Sequence, residues 1–333
     1  MNNLRTYQLG LGIAGTILML LVPYLFPVMY IHLAVEILIF ALFAVSFNLL
    51  FGYSGLLPFG HAALFGAGAY VAALIFKNFP GMSLLLTLLI TPLFCAGIAA
   101  VIGFFCIRLK GAYFALISLA FQMFLYAVAM KWRSVTYGDD GMTFNRPDLH
   151  LPILGTVSMG SIQNLYYFSL VIVAIGVLAC YLFLKTPLGN SVVCVRERDI
   201  RASFLGYNVF LTRYIAFLVS GILAGLAGGL FALFVGFVNT ACIDINMSMS
   251  VVLMTVIGGT GHFLGPILGT AFYVVFQDWI SSLTKHWWIL MGIFFIVVVL
   301  YLQGGLISLV SMKRIRLWVS RRRREDGNHI KNR

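Results

Sequence analysis

FNLLFGYSGLLPFGHAALFGAGAY, residues 47–70, lies where an apolar helix should run on and instead comes apart. Gly52, Gly55, Pro58 and Gly60 interrupt the pattern, and small residues resume at Gly66 and Gly68. Proline removes a backbone donor and glycine loosens the chain, so the helical ladder opens here. In hydrocarbon, a freed N–H or C=O must be buried in protein or line a watery cavity. Broken apolar segments of this kind are where membrane carriers hold and gate their solutes. The same glycines also suit a tight hairpin between two packed helices. The residues of this stretch leave both readings open.

Working outward, 61% of the 333 residues are hydrophobic and 10% charged. A soluble chain carries about 25% charge. Repeated apolar runs close to 20 residues, each about one bilayer thick, predict an all-α, polytopic transmembrane bundle. Ten spans are expected, at about 9–29, 32–51, 56–76, 84–107, 111–130, 164–184, 212–237, 247–258, 263–283 and 287–306. The eighth is short enough to be re-entrant. Residues 1–312 read as one membrane domain and 313–333 as a basic tail. The apolar start through Tyr30 reads as a retained first helix, because no small-residue cleavage site follows it. Cys95, Cys106, Cys180, Cys194 and Cys242 are scattered without metal or disulfide spacing and read as small core residues.

The net charge is +12. From Lys313 to Arg333 nine basic residues face Glu325 and Asp326, a cluster that marks the cytoplasmic side and suits anionic lipid. No nucleic-acid-binding fold accompanies it, so nucleic acid is not an expected partner. With ten spans both termini are cytoplasmic. Arg108 and Lys110 then fall in an inner turn, and Lys185, Arg196, Arg198, Arg201 and Arg213 in the inner 185–213 connection. The outer 131–163 connection balances Lys131, Arg133 and Arg146 against Asp139, Asp140 and Asp148. The basic excess therefore falls on one side.

Gly52-Tyr-Ser-Gly55 followed by Gly60 is echoed by Gly258-Gly-Thr-Gly261 followed by Gly265-Pro266. Both are expected on the same side, which an inverted five-plus-five repeat would not give. No G-x-x-x-x-G-K-[ST] occurs, so the chain carries no nucleotide-hydrolysing motif. Ion-coupled carriers place ionisable groups at the bilayer midplane, whereas Glu36, His61 and Asp278 fall toward span ends. Asn48 and Gln122 suit a pathway or an interhelical hydrogen bond equally. No HExxH or GxSxG is present, and no enzymatic centre is expected.

In the inner connection, Thr186-Pro187-Leu188-Gly189-Asn190 predicts a turn. A helix capped by Asn190 or Ser191 then runs to Leu205 and stops at Gly206. Val193, Ile200 and Phe204 give it an apolar stripe, and Glu197 precedes Arg201 by four residues, the favourable order for an ion pair. Such a helix either docks in a partner's groove or lies on the membrane.

Four blocks, in order, resemble the permease subunits of branched-chain amino-acid ABC importers, a group related to amide and urea importers. They are Asn48 to Ala63, Arg108 to Ala115, Thr186 through Arg196-Glu197 to Asn208, and Gly258 to Gly261 with Gly265 to Gly269. The resemblance implies a homologous second permease, two ATP-binding subunits that use ATP and Mg, and an extracytoplasmic solute-binding protein. It also implies a bacterial inner-membrane location and no cofactor on this chain. Pathway and gating are then expected at Asn48, Gly52, Tyr53, Ser54, Gly55, Pro58, Gly60 and His61, and at Gly258, Gly259, Gly261, Gly265 and Pro266. ATPase coupling is expected at Val193, Glu197, Ile200, Arg201, Ala202, Phe204, Leu205 and Gly206. The family usually shows small and acidic residues before that glycine, and of these only Ala202 and Gly206 are kept. Pro58 stands where the family often has a small polar residue. Branched-chain amino acids are the expected solutes, with urea or short amides as the alternative and a stand-alone amino-acid carrier as a further one.

Overall fold

The computed structural model describes residues 23–24, 26–151, 155–284, 286–301 and 305–307. The expected first span lies almost wholly outside them, as does the basic tail. Helix α1 runs Val28–Asn48 and widens without a stop into a π-helical turn, Leu49–Ser54. Helices α2 (Ala62–Asn78), α3 (Leu84–Cys106) and α4 (Ala112–Lys131) follow, then one turn, α5 (Arg133–Thr136). After α6 (Ile162–Lys185) come two short helices, α7 (Pro187–Glu197) and α8 (Asp199–Phe204). The last described helices are α9 (Val209–Val235), α10 (Ile245–Gly258), α11 (Gly265–Leu283) and α12 (Trp287–Tyr301). Among the described residues, five segments are long and apolar enough to cross a bilayer: α1 with its π turn, α3, α4, α6 and α9. The expected boundaries recur to within a few residues except at 56, where α2 starts six residues late. Gly55 is left-handed (φ +70°) and Pro58 lacks a donor, so no helix forms until Ala62.

Two helices form the centre. Every residue of α1 from Leu38 onward is buried, which a helix apolar on all sides requires. The other is α9, whose Ala216, Ser220, Gly221, Ala224, Gly225 and Gly228 make a small-residue face. It lets α2 and α3 approach to backbone contact. A Cβ on Gly228 would stand 1.9 Å from the Phe65 carbonyl oxygen of α2. Without a hydrophobic drive between helices in lipid, such close packing is what holds them together. The outward faces of α3, α4 and α6 are apolar and exposed, with Leu93, Leu116 and Ile175 among them.

Small strands, not foreseen from the sequence, finish one end. β1 (Met142–Thr143) pairs antiparallel with β4 (Phe237–Val238), and β2 (Leu149–Leu151) with β3 (Gly155–Val157). Thr240 donates to Asp139 at 3.0 Å and Arg146 to the Phe234 carbonyl at 2.5 Å, so the 131–160 connection is tied to the end of α9. The opposite end gathers both glycine breaks, the 107–111 turn, α7 and α8.

Candidate functional site

The two breaks meet at that second end. Asn48 closes α1, and its Nδ2 donates to the His262 carbonyl at 3.2 Å while its Oδ1 accepts from Gly261 N–H at 3.5 Å. Gly52 makes room for this bridge, since a Cβ there would stand 2.1 Å from Asn48 Oδ1. Arg196, from the last turn of α7, donates through Nη1 to the Gly52 carbonyl. The same nitrogen lies 3.8 Å from where a Cβ of Gly261 would be, and the stem of Arg196 packs at 3.0 Å over that of Gly55. Tyr53, half-buried, lies within electrostatic reach of this guanidinium. One arginine at the end of α7 thus joins the α1 break to the α10–α11 break. The sequence placed Arg196 in a motif but gave it no role.

Two backbone donors of the first break are satisfied from other helices. Gly60 N–H donates to Ser118 Oγ (3.3 Å) and Ala62 N–H to Ser248 Oγ (3.0 Å). Ser248 in turn donates to Gln122 Oε1 (3.0 Å), and Gln122 Nε2 to the Ile243 carbonyl (2.7 Å). Gln122 is thereby an interhelical hydrogen-bonder. Left unpaired in an apolar interior, each such group would cost several kcal/mol.

His61 lies apart from Arg196, fully buried between Phe43 (stacked, 5.3 Å) and Phe47 (edge-on, 5.6 Å). Ser46 Oγ lies 2.7 Å from the Phe43 carbonyl and 2.9 Å from His61 Nε2, so one serine hydroxyl joins the imidazole to the helix backbone. Gly258 and Gly265 serve hairpin packing: a Cβ on Gly258 would stand 1.9 Å from the Gly265 carbonyl oxygen, with Pro266 opening α11. Gly259 (φ +107°) makes the turn between them, and Pro58 and Ser54 are buried within the first break. Of the residues expected to gate, Asn48, Gly52, Tyr53, Gly55 and Gly261 converge on Arg196, and the others do not.

The expected single helix from 191 to Leu205 is two helices. Thr186, not Asn190 or Ser191, caps the first, its Oγ1 accepting from Gly189 N–H at 3.1 Å. Pro187 fits the first helical position, where no donor is needed. Arg198 is extended (φ −155°, ψ 98°) and breaks the ladder, so the Val193–Ile200–Phe204 stripe is not continuous. Glu197 and Arg201 fall on different helices, and no ion pair joins them among the described residues. Gly206 stops α8 as expected, left-handed at φ +86° with Tyr207 N–H bonded back to the Ala202 carbonyl.

Asp199 pins α8. It takes Lys110 Nζ at 2.6 Å and Arg213 Nη2 at 3.8 Å, and its other oxygen accepts from Ile200 N–H. The Lys110 hydrogen bond, helped by Arg213 and outweighing desolvation, holds this carboxyl below the usual aspartate value. Ala202 anchors the inner face of α8. Ile200 (68%), Phe204 (87%) and Leu205 (77%) stand exposed on the outer face.

Residues 29–301 match the family described as branched-chain amino acid transport system, permease component. The chain is 25% identical to the high-affinity branched-chain amino acid transport system permease protein LivM of Escherichia coli K12, over 84% of this chain and 70% of that protein. It is 24% identical to the LivM of Salmonella typhimurium over the same shares. It is also 29% identical to the guanosine ABC transporter permease protein NupQ of Bacillus subtilis, over 39% of this chain and 40% of that one. No solved structure matches. The match over most of its length shows that this chain belongs to the branched-chain amino-acid transport permease family of ABC transporters.

Proposed function

We propose that the chain is the permease subunit of an ATP-driven importer that carries branched-chain amino acids across the cell inner membrane. It works beside a homologous second permease. Two ATP-binding subunits, using ATP and Mg, supply energy, and an extracytoplasmic solute-binding protein delivers the solute. The family and the two LivM relatives support the solute class. The observation that carries the reading is Arg196, which ties the exposed α7–α8 loop to both broken helices.

The end bearing α7 and α8 faces the cytoplasm, as do both termini, with the 9–29 segment as the first of ten spans. Ile200, Phe204 and Leu205 seat in an ATPase groove. When ATP draws the partners together, α8 moves, and α7 with it. Arg196 then pulls on the Gly52 carbonyl, and the glycines at 52, 55, 259 and 261 let the spans pivot. Aliphatic solutes need only an apolar, briefly hydrated passage, so the binding protein sets most of the selectivity.

The test is co-purification from detergent followed by uptake in vesicles. An ATP-binding subunit should accompany the parent and be lost from Ile200→Asp and Phe204→Asp. The assembled complex should take up leucine, with competition from isoleucine and valine but not from urea or guanosine. A chain that binds no ATPase overturns the importer. Competition by guanosine or urea overturns the solute class alone.

A further inference from the structure

At the end of the bundle that carries α8, a cleft of about 520 Å³ opens between the last turn of α3, α8 and the first turn of α9. Arg108, Lys110 and Arg213 line it, against one carboxylate, Asp199. Three cations and one anion leave a positive excess that no protein group in the cleft balances. Asp199 receives Lys110 closely and Arg213 only at 3.8 Å, and Arg213 Nε is buried without a hydrogen-bond partner. A buried guanidinium N–H left unpaired is costly and fits an acceptor that would complete it.

The other wall is apolar, formed by Ile107, Val209 and Phe210. It continues into an aromatic row on the outer surface. The Arg108 guanidinium lies 4.2 Å over the Phe104 ring, Phe104 meets Phe210 edge-on at 6.3 Å, and Phe210 stacks on Tyr214 at 5.8 Å. Phe104, Phe105 and Phe210 are exposed. Arg108 and Lys110 immediately beyond the apolar α3, with Tyr214 at the end of the row, mark the level of a membrane–water interface. The cleft thus offers phosphate-binding cations at headgroup depth and an apolar strip leading toward hydrocarbon.

We propose that this cleft binds the phosphate of an anionic phospholipid headgroup. Arg108, Lys110 and Arg213 hold the phosphate, and the glycerol end lies against Ile107 and Phe210. Guanidinium groups suit the bidentate geometry of phosphate oxygens. Inorganic phosphate shares that charge chemistry but makes no use of the apolar wall. Because the phosphate shares Lys110 and Arg213 with Asp199, the lipid sits on the anchor of α8. Ile200 and Phe204, which the proposed function seats in an ATPase groove, line the cleft's α8 side. The lipid itself requires only that α3 and α9 lie in a bilayer, and the experiment on the purified chain reads it without solute or ATPase.

The experiment measures lipid retained by the purified full chain in native mass spectrometry, after exchange into mixed phosphatidylglycerol and phosphatidylcholine. The parent is compared with R108Q/K110Q and, as a control for charge alone, with K131Q/R133Q at the opposite end. The basic tail is common to all three and cancels. Removing two headgroup-level cations should lower phosphatidylglycerol retention roughly tenfold. The control should match the parent. Equal retention by R108Q/K110Q, or equal loss in the control, overturns the site. Displacement of the bound phosphatidylglycerol by millimolar inorganic phosphate would assign the cleft to a free anion and overturn the lipid.

Discussion

At the scale of single residues, several polar side chains, among them Asn48, Ser118, Gln122 and Ser248, meet the places where the backbone comes apart. Arg196, exposed at the end of α7, links such a place to the α7–α8 segment. Replacing it with Gln removes a charge-assisted bond, worth about 1.5–3 kcal/mol, from the Gly52 carbonyl while leaving α7 capped by Thr186. The assembled transporter with Arg196→Gln should keep hydrolysing ATP and lose leucine uptake by about tenfold or more. Measuring both rates in the same proteoliposomes separates lost coupling from lost assembly; equal falls in the two would reject the strap. Gln122 acts differently, as a structural bridge between Ser248 and the Ile243 carbonyl. Gln122→Leu should lower stability by about 1–3 kcal/mol for each partner left unpaired, read as a fall in thermal midpoint in detergent. The break itself was legible in the sequence, because proline and glycine act locally. Arg196 was not, because its partner lies 144 residues away and only tertiary packing brings them together.

At the scale of elements, helices were legible where lipid dictates them: an apolar run has to satisfy its backbone internally, so α3, α4, α6 and α9 fall close to their expected bounds. The solvent-exposed elements were less so. The order Glu197 then Arg201 favours an unbroken helix, yet tertiary contacts to Asp199 decide the local geometry, and the ladder breaks at Arg198. At the other end, the pairing of β1 with β4 spans about a hundred residues, which no local pattern announces. Asp199 gives α8 a definite pH response. Its carboxyl, facing Lys110, Arg213 and Arg108, is held below the ordinary aspartate value, so the folded chain prefers it ionised. The anchor is therefore fully present above that ordinary value and is lost as pH falls through the depressed one. Hydrogen exchange of the α8 amides should show Asp199→Asn less protected than the parent by a constant margin from about pH 8 to pH 5, closing only below the ordinary carboxylate range. A margin that closes near neutrality would assign the anchoring to some other group.

At the scale of the whole molecule, the two ends differ in kind. One is stitched by strands, by the Thr240–Asp139 bond and by Arg146 on the Phe234 carbonyl. The other holds two breaks joined by an arginine and an exposed apolar face on a six-residue helix. The proposed importer would use that asymmetry, with one side receiving a delivered solute and the other taking the force. The chain carries its own probe of which side is which. Cys95, Cys106, Cys180 and Cys242 are buried, whereas Cys194 on α7 is exposed. A membrane-impermeant maleimide should therefore label Cys194 in inside-out vesicles and leave right-side-out vesicles unlabelled. A cysteine placed at exposed Asn145, in a chain with Cys194→Ser, should show the reverse. Placed at Asn3, it reads the parity of the first segment: labelling from the same side as Cys194 requires that residues 9–29 cross the bilayer, with the start of the first span and the end of the second facing the cytoplasm. Labelling of Cys194 from outside would put Phe204 beyond the reach of any cytoplasmic ATPase and end the importer reading, while leaving the convergence of the two breaks on Arg196 to be explained by a gate on the outer face.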